Sequence, residues 1–154
     1  MHVVDTHTLS IVYRLLHLAG MGILLGGALV VAIELLARHA LADRRPLDDA
    51  VRYEWLFWPV LAVQVLTGTG NVGVMGSGAT GAETSWGGFL AVKLLLVLAV
   101  LILSAVRTAL VARLVAQPDV PLAPRGARIV GGAYVGTALG VGAVVLLAVR
   151  LAHG

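Results

Sequence analysis

The sequence predicts an all-α integral membrane protein, a four-helix up-down bundle with both termini on the outer side. Three observations carry that reading. The 154 residues are 59% hydrophobic and only 12% charged, with a mean hydropathy of +0.96, far from the composition of a water-soluble domain. Four apolar runs, at 9–37, 51–72, 88–115 and 129–152, each have about the 20 residues or more that carry a helix across a bilayer. Basic residues cluster beside two of the three connections, as topology requires. No length remains for a soluble unit, so residues 1–154 read as a single transmembrane domain.

The first run holds RLLHLAGMGILLGG, Arg14 to Gly27. Ala40-Leu41-Ala42 imitates a leader cleavage site, but the run is too long for a leader and its basic residues lie downstream. It is therefore expected to stay as a span. The connections carry the breakers, with DRRPLDD before the second span, GSGATGAETSWGG before the third and QPDVPLAPRG before the fourth. Short connections suit antiparallel neighbours.

Eight of the eleven Lys and Arg residues, Arg38, Arg44, Arg45, Arg52, Arg107, Arg113, Arg125 and Arg128, fall on or beside the first and third connections. Arg14, Lys93 and Arg150 lie towards the other side. The positive-inside rule then makes those two connections cytoplasmic. The net charge of +3 is spent on orientation, with no basic patch for nucleic acid. The absence of cysteine excludes disulfides, thiolate metal sites and cysteine nucleophiles, so a soft metal would have to use His or Met.

Glycine spacing predicts how the helices approach. Gly22-x-x-x-Gly26 in the first span and Gly132-x-x-x-Gly136-x-x-x-Gly140 in the fourth are small-xxx-small patterns, expected at helix contacts or at a homodimer seam. At 100° per residue Gly22 and Gly26 point away from His17, which places packing and chemistry on different faces.

Polar residues inside the membrane are the functional candidates, because a charge in hydrocarbon costs at least ~2.5 kcal/mol. His17 lies one turn from Arg14 and one turn from Met21 on one helical face. The second span ends with Gln64, Thr67, Gly68 and Asn71, the third carries Lys93, and the fourth ends in Arg150. All can meet in the outer half. Arg14, Arg150 and Lys93 can also snorkel to the surface, although the Lys93 stripe continues through Val97, Val100, Ser104 and Arg107. The plain alternative for His17 is an interhelical hydrogen bond to Gln64 or Thr67. His2, His7 and His153, with Met1, Met21 and Met75, also fall on the outer side, while His39 lies ~33 Å along the first helix from His17. Glu34 can pair with Arg38 at i+4. No phosphate loop, zinc-protease spacing or Ser/His/Asp set is present, so hydrolytic and nucleotide chemistry are not expected and catalysis is less favoured than binding.

R-L-L-H-L with Gly26-Gly27, then P-V-L-A-V-Q-V-L-T-G from Pro59 to Gly68, then W-G-G-F-L-A-V-K-L-L-L-V-L from Trp86 to Leu98 with Arg107 beyond, resemble the membrane domain of CopD-type copper resistance proteins. They are similar also to the related HemJ-type four-helix proteins, linked to haem b and protoporphyrinogen oxidation. The likeness covers about residues 10–115. The CopD resemblance implies copper passage or capture at the outer face of a bacterial-type plasma membrane, with His17 as the best-matched ligand and a periplasmic copper carrier as partner; Met21, on the same helical face, is the second candidate metal ligand. The HemJ resemblance implies a haem b on His17, with Lys93 near a propionate or substrate carboxylate, in a redox subunit such as a respiratory complex employs; from the residues themselves, Gln64, Thr67 and Arg14 complete the candidate cofactor site. The HemJ-like third helix has a histidine after its lysine, and 94–115 contains none. A third reading is a structural subunit without chemistry of its own.

Orientation is testable directly. In the cysteine-free chain, Ala79→Cys is expected to react with an impermeant thiol reagent in intact cells and Asp48→Cys is not; the reverse pattern inverts the topology.

Overall fold

The computed structural model describes residues 6–37, 45–75, 85–117 and 122–153. They form four α-helices, α1 (Thr6–Ala37), α2 (Arg45–Met75), α3 (Ser85–Val115) and α4 (Pro124–His153). No strand occurs among the described residues. All four helices begin earlier than the apolar runs do, α2 and α4 by the most. α2 starts at Arg45 inside DRRPLDD, and α4 starts at Pro124 inside QPDVPLAPRG. A proline in the first helical turn loses no hydrogen bond that the helix could have made, and its fixed φ suits the start. Asp48, in the first turn of α2, complements the positive end of the helix dipole.

Ile11–Ala37, Gly87–Val115 and Pro124–Arg150 are each long and apolar enough to cross a membrane, so the chain is a multi-pass membrane protein. Four spans were expected. α2 has the length, 31 residues, but not the apolarity, because it supplies the polar partners of the others: Glu54, Gln64 and Thr67 all turn inward and are buried.

The helices run antiparallel to their neighbours. Gly20 of α1 lies against Gln64 of α2 and Gly27 against Tyr53, so rising numbers in α1 meet falling numbers in α2. α1 packs against both α2 and α4, and α3 packs against α4, whereas α2 and α3 approach each other at only a few positions. One side of the four-helix square is therefore loose.

Close packing uses glycines other than the predicted pair. A side-chain carbon at Gly20 would overlap the Gln64 amide, and one at Gly27 would overlap the Tyr53 ring. The Tyr53 hydroxyl then donates to the Leu24 carbonyl at 2.7 Å. Gly22 and Gly26 have nothing within 4 Å of such a carbon, which corrects the expectation that they mediate packing within the bundle. Gly20, Leu24 and Gly27 share the His17 side of the helix by rotation, so packing and polar chemistry occupy the same face of α1. In α4, Gly132 is likewise open, while a side-chain carbon at Gly136 would lie 3.1 Å from Leu103 and one at Gly140 would overlap Val100.

The antiparallel register puts Leu24, Leu61, Val100 and Val141, one from each helix, at a common level, and all four belong to the buried core. Large apolar side chains such as Leu18, Trp55, Leu66, Leu95, Leu139 and Leu146 face outward, as they must where the surrounding solvent is lipid. Helix association there draws on packing and internal hydrogen bonds, since lipid tails are as apolar as leucine.

Gly136→Leu and Gly140→Leu are therefore expected to lower the thermal stability of the detergent-solubilised protein sharply, and Gly22→Leu to leave it close to wild type. Equal melting temperatures for Gly140→Leu and wild type would show that α3 and α4 do not meet at this face.

Candidate functional site

Polar side chains collect in two tiers separated by the apolar layer just described. The outer tier is built on His17. Its Nδ1 lies 2.9 Å from Thr67 Oγ1 across the α1–α2 interface. Thr67 directs its own hydroxyl proton to backbone carbonyls, that of Val63 at 2.8 Å and that of Gln64 at 3.3 Å. The contact with His17 engages Nδ1, and Nε2 has no partner among the described residues; with the proton on Nδ1, Nε2 is the ring nitrogen that could ligate a metal. A side-chain carbon at Gly68 would lie 3.6 Å from His17 Cε1, so the α2 backbone passes close to the ring.

Gln64 is buried beside the ring. Its amide donates to the Leu16 carbonyl at 3.3 Å, and its Oε1 has no partner. Met21, one turn inward from His17, is half-buried against the core. Lys93, on α3 at the same depth, is half-buried. Among the described residues it forms no hydrogen bond or ion pair. Arg14 is exposed and joins no contact of the tier. The structure thus brings together His17, Thr67 and Gln64, with Lys93 and Met21 beside them, and leaves Arg14 outside. The side chains of His2, His7, His153, Met1 and Met75, together with His39 and Arg38, the expected partner of Glu34, lie outside the described residues. Among the described residues no three His, Cys, Asp or Glu side chains gather to hold a metal ion.

The inner tier is an ion pair that sequence reasoning missed. Arg107 was counted as a loop anchor, yet its side chain is wholly buried, with Nε donating to Glu54 Oε1 at 2.6 Å and Nη2 to Oε2 at 3.2 Å. Removing it from the eight flanking residues leaves seven against three, so the orientation argument stands on fewer charges. Tyr134 donates to Oε1 at 2.7 Å, and Thr108 donates to Oε2. Arg107 Nη1 donates to Thr137 at 2.6 Å. The guanidinium is enclosed by rings, 4.4 Å from the Phe57 centroid, 4.7 Å from Tyr134 and 5.3 Å from Tyr53. Both charges are paired, hydrogen-bonded and shielded, which is the condition under which an ion pair survives away from water. A carboxylate nine residues into α2 and a guanidinium eight residues from the end of α3 are each more than ~10 Å inside their helix by rise per residue. That depth, with opposite sign, was the available signal.

The Lys93 stripe is confirmed in its inner part. Val100, Ser104 and Arg107 are buried, and Val97 is half-buried. Comparison with protein families, characterised proteins and solved structures finds no match to this chain.

An ion pair of this kind is costly to break on one side only. Arg107→Met, which leaves the Glu54 carboxylate buried and unpaired, is expected to destabilise by about 3–5 kcal/mol. The double variant with Glu54→Leu is expected to lose less than the sum of the two single changes. Additive losses in the unfolding free energies would mean that the two groups do not interact in the membrane.

Proposed function

We propose that this protein captures copper at the outer face of a bacterial-type plasma membrane, with His17 Nε2 as its ligand, and assists its uptake or delivery. The observation that carries the reading is the imidazole that Thr67 holds at Nδ1, with Nε2 free of any partner among the described residues. The remaining donors fit a soft, low-coordinate metal. Met21 offers a thioether one helical turn away, and imidazole with thioether sulfur matches the preference of Cu(I). The order of residues from Arg14 to Lys93 that resembles CopD-type proteins points the same way.

The apolar layer of Leu24, Leu61, Val100 and Val141 lies directly inward of His17, and no methionine lies in the inner half of any helix. Capture followed by hand-over to a periplasmic carrier therefore fits better than permeation by this chain alone. Bare Lys93 supports a second reading, a b-type haem on His17 with the ammonium receiving a propionate. Haem would supply reversible electron transfer, and the chain's own part would be to hold one axial nitrogen and exclude water.

Absorbance and elemental analysis of protein purified from membranes separate the readings. Copper without a Soret band is expected, lost in His17→Ala while the helical fold remains, and reduced but present in Thr67→Val and Lys93→Met. A Soret band that His17→Ala abolishes selects haem. A wild type that takes up neither copper nor haem on reconstitution, or a His17→Ala variant that retains its full copper, overturns the assignment and leaves His17 as an interhelical hydrogen bond in a structural subunit.

A further inference from the structure

The charge excess of the chain is concentrated on one pair of helices. Residues 85–154 hold six basic residues, Lys93, Arg107, Arg113, Arg125, Arg128 and Arg150, against the single carboxylate of Asp119. Arg107 is neutralised by Glu54 of α2. Of the other five, three stand at the inner end: Arg113 in the last turn of α3, with Arg125 and Arg128 at the start of α4, all exposed. The other inner connection is nearly balanced, since residues 38–52 set four arginines against three aspartates, and Arg52 pairs with Asp49 at 3.2 Å.

Helix register brings the three arginines to one depth. Gly136 opposite Leu103 and Gly140 opposite Val100 align the antiparallel α3 and α4 so that Arg113 comes level with Gly126 and Ala127, between Arg125 and Arg128. Rotation places all three on the lipid side of that seam. Arg113 stands ~80° round from Leu103, away from the buried stripe of Val100, Ser104, Arg107 and Val111. Arg125 lies within ~20° of the direction of Gly136 and Arg128 within ~80°, both turned from the buried Val130 and Tyr134.

Electrostatics within the chain do not reward this placement. The first turn of α4 has no acid, and two guanidinium groups occupy the positive end of its dipole, where negative charge is the stabilising sign. The link 118–121 contributes only Asp119, so one carboxylate answers three guanidinium groups whichever of them it meets. Exposed Ile102, Val106 and Ile129 continue outward along the same seam. An anion that suits both halves of this surface carries hydrocarbon.

We propose that Arg113, Arg125 and Arg128 bind the phosphate of an anionic phospholipid, its headgroup at the inner end of the α3–α4 seam and an acyl chain along Val106 and Ile129. Guanidinium groups match phosphate oxygens in pairs, and basic residues between transmembrane helices at the membrane surface are a recurring headgroup site. The site lies across the apolar layer from His17. It depends neither on what His17 holds nor on which side of the membrane this end faces.

Native mass spectrometry of the full chain, released from micelles holding equal amounts of phosphatidylglycerol and phosphatidylcholine with matched acyl chains, counts the lipids retained. Wild type is expected to keep one phosphatidylglycerol in preference to phosphatidylcholine. Arg113→Gln, Arg125→Gln and Arg128→Gln are each expected to lower that preference about five-fold, the worth of one basic residue at an anionic surface. Arg52→Gln, exposed at the same end of the bundle on α2, is expected to leave it unchanged. The preference is a ratio within one sample, so a poorer yield of a variant does not imitate its loss. Equal retention of the two lipids by wild type overturns the proposal. A loss in Arg52→Gln as large as in Arg125→Gln overturns it too, by making the attraction a diffuse property of the charged end. Equal thermal stabilisation of wild type by soluble glycerol phosphate and by phosphatidylglycerol replaces the lipid with a free anion. Failure of the copper assay touches none of these outcomes.

Discussion

The Glu54–Arg107 pair is the interaction on which the bundle's geometry rests. It joins α2 to α3 where their backbones otherwise stay apart, and Tyr134 and Thr137 extend it to α4. In a molecule surrounded by lipid there is little hydrophobic force to choose one rotation of a helix over another. A buried charge has no such freedom. Turning either helix would strip one partner of its ligands, so the pair selects the face each helix presents and the depth at which it sits. The three aromatic rings around the guanidinium fill the width that the separated backbones leave.

From that anchor the rest of the structure follows in layers. Above the clasp, four apolar side chains, one per helix, form a dry level. Above that, His17 meets Thr67 and Gln64. The two polar tiers differ in kind. Every carboxylate oxygen of Glu54 is satisfied, which suits a structural fastening, whereas Oε1 of Gln64 in the outer tier has no partner; Ser104 Oγ, one turn from Arg107, is the other such buried atom among the described residues. Satisfied polar groups hold a fold together, and unsatisfied ones are what a ligand can use.

Glycine divides along similar lines. Gly20 and Gly27 make room for a glutamine amide and a tyrosine ring, and each allows a polar side chain to reach an α1 carbonyl. Their role is to admit hydrogen bonds between helices as much as to bring backbones near. Gly22 and Gly26, which have the familiar spacing, face outward within this chain and leave a smooth strip on α1.

Much of this was legible from the residues alone. Apolar runs longer than a bilayer is thick dictated helices, because only internally hydrogen-bonded segments survive in lipid, and short breaker-rich connections dictated antiparallel neighbours. His17 with Thr67 or Gln64 could be anticipated because a span holds few polar groups and each must find another. Arg107 and Glu54 carried a weaker signal, charges of opposite sign more than ~10 Å inside their helices, with Arg107 on the stripe of Lys93; only the packed bundle decides that this arginine turns inward to meet this carboxylate. The glycine faces were misread for the same reason. Spacing along a helix states which residues share a face, and the choice of face belongs to the partner helices, here to the side chains of Gln64 and Tyr53 that seek the α1 backbone.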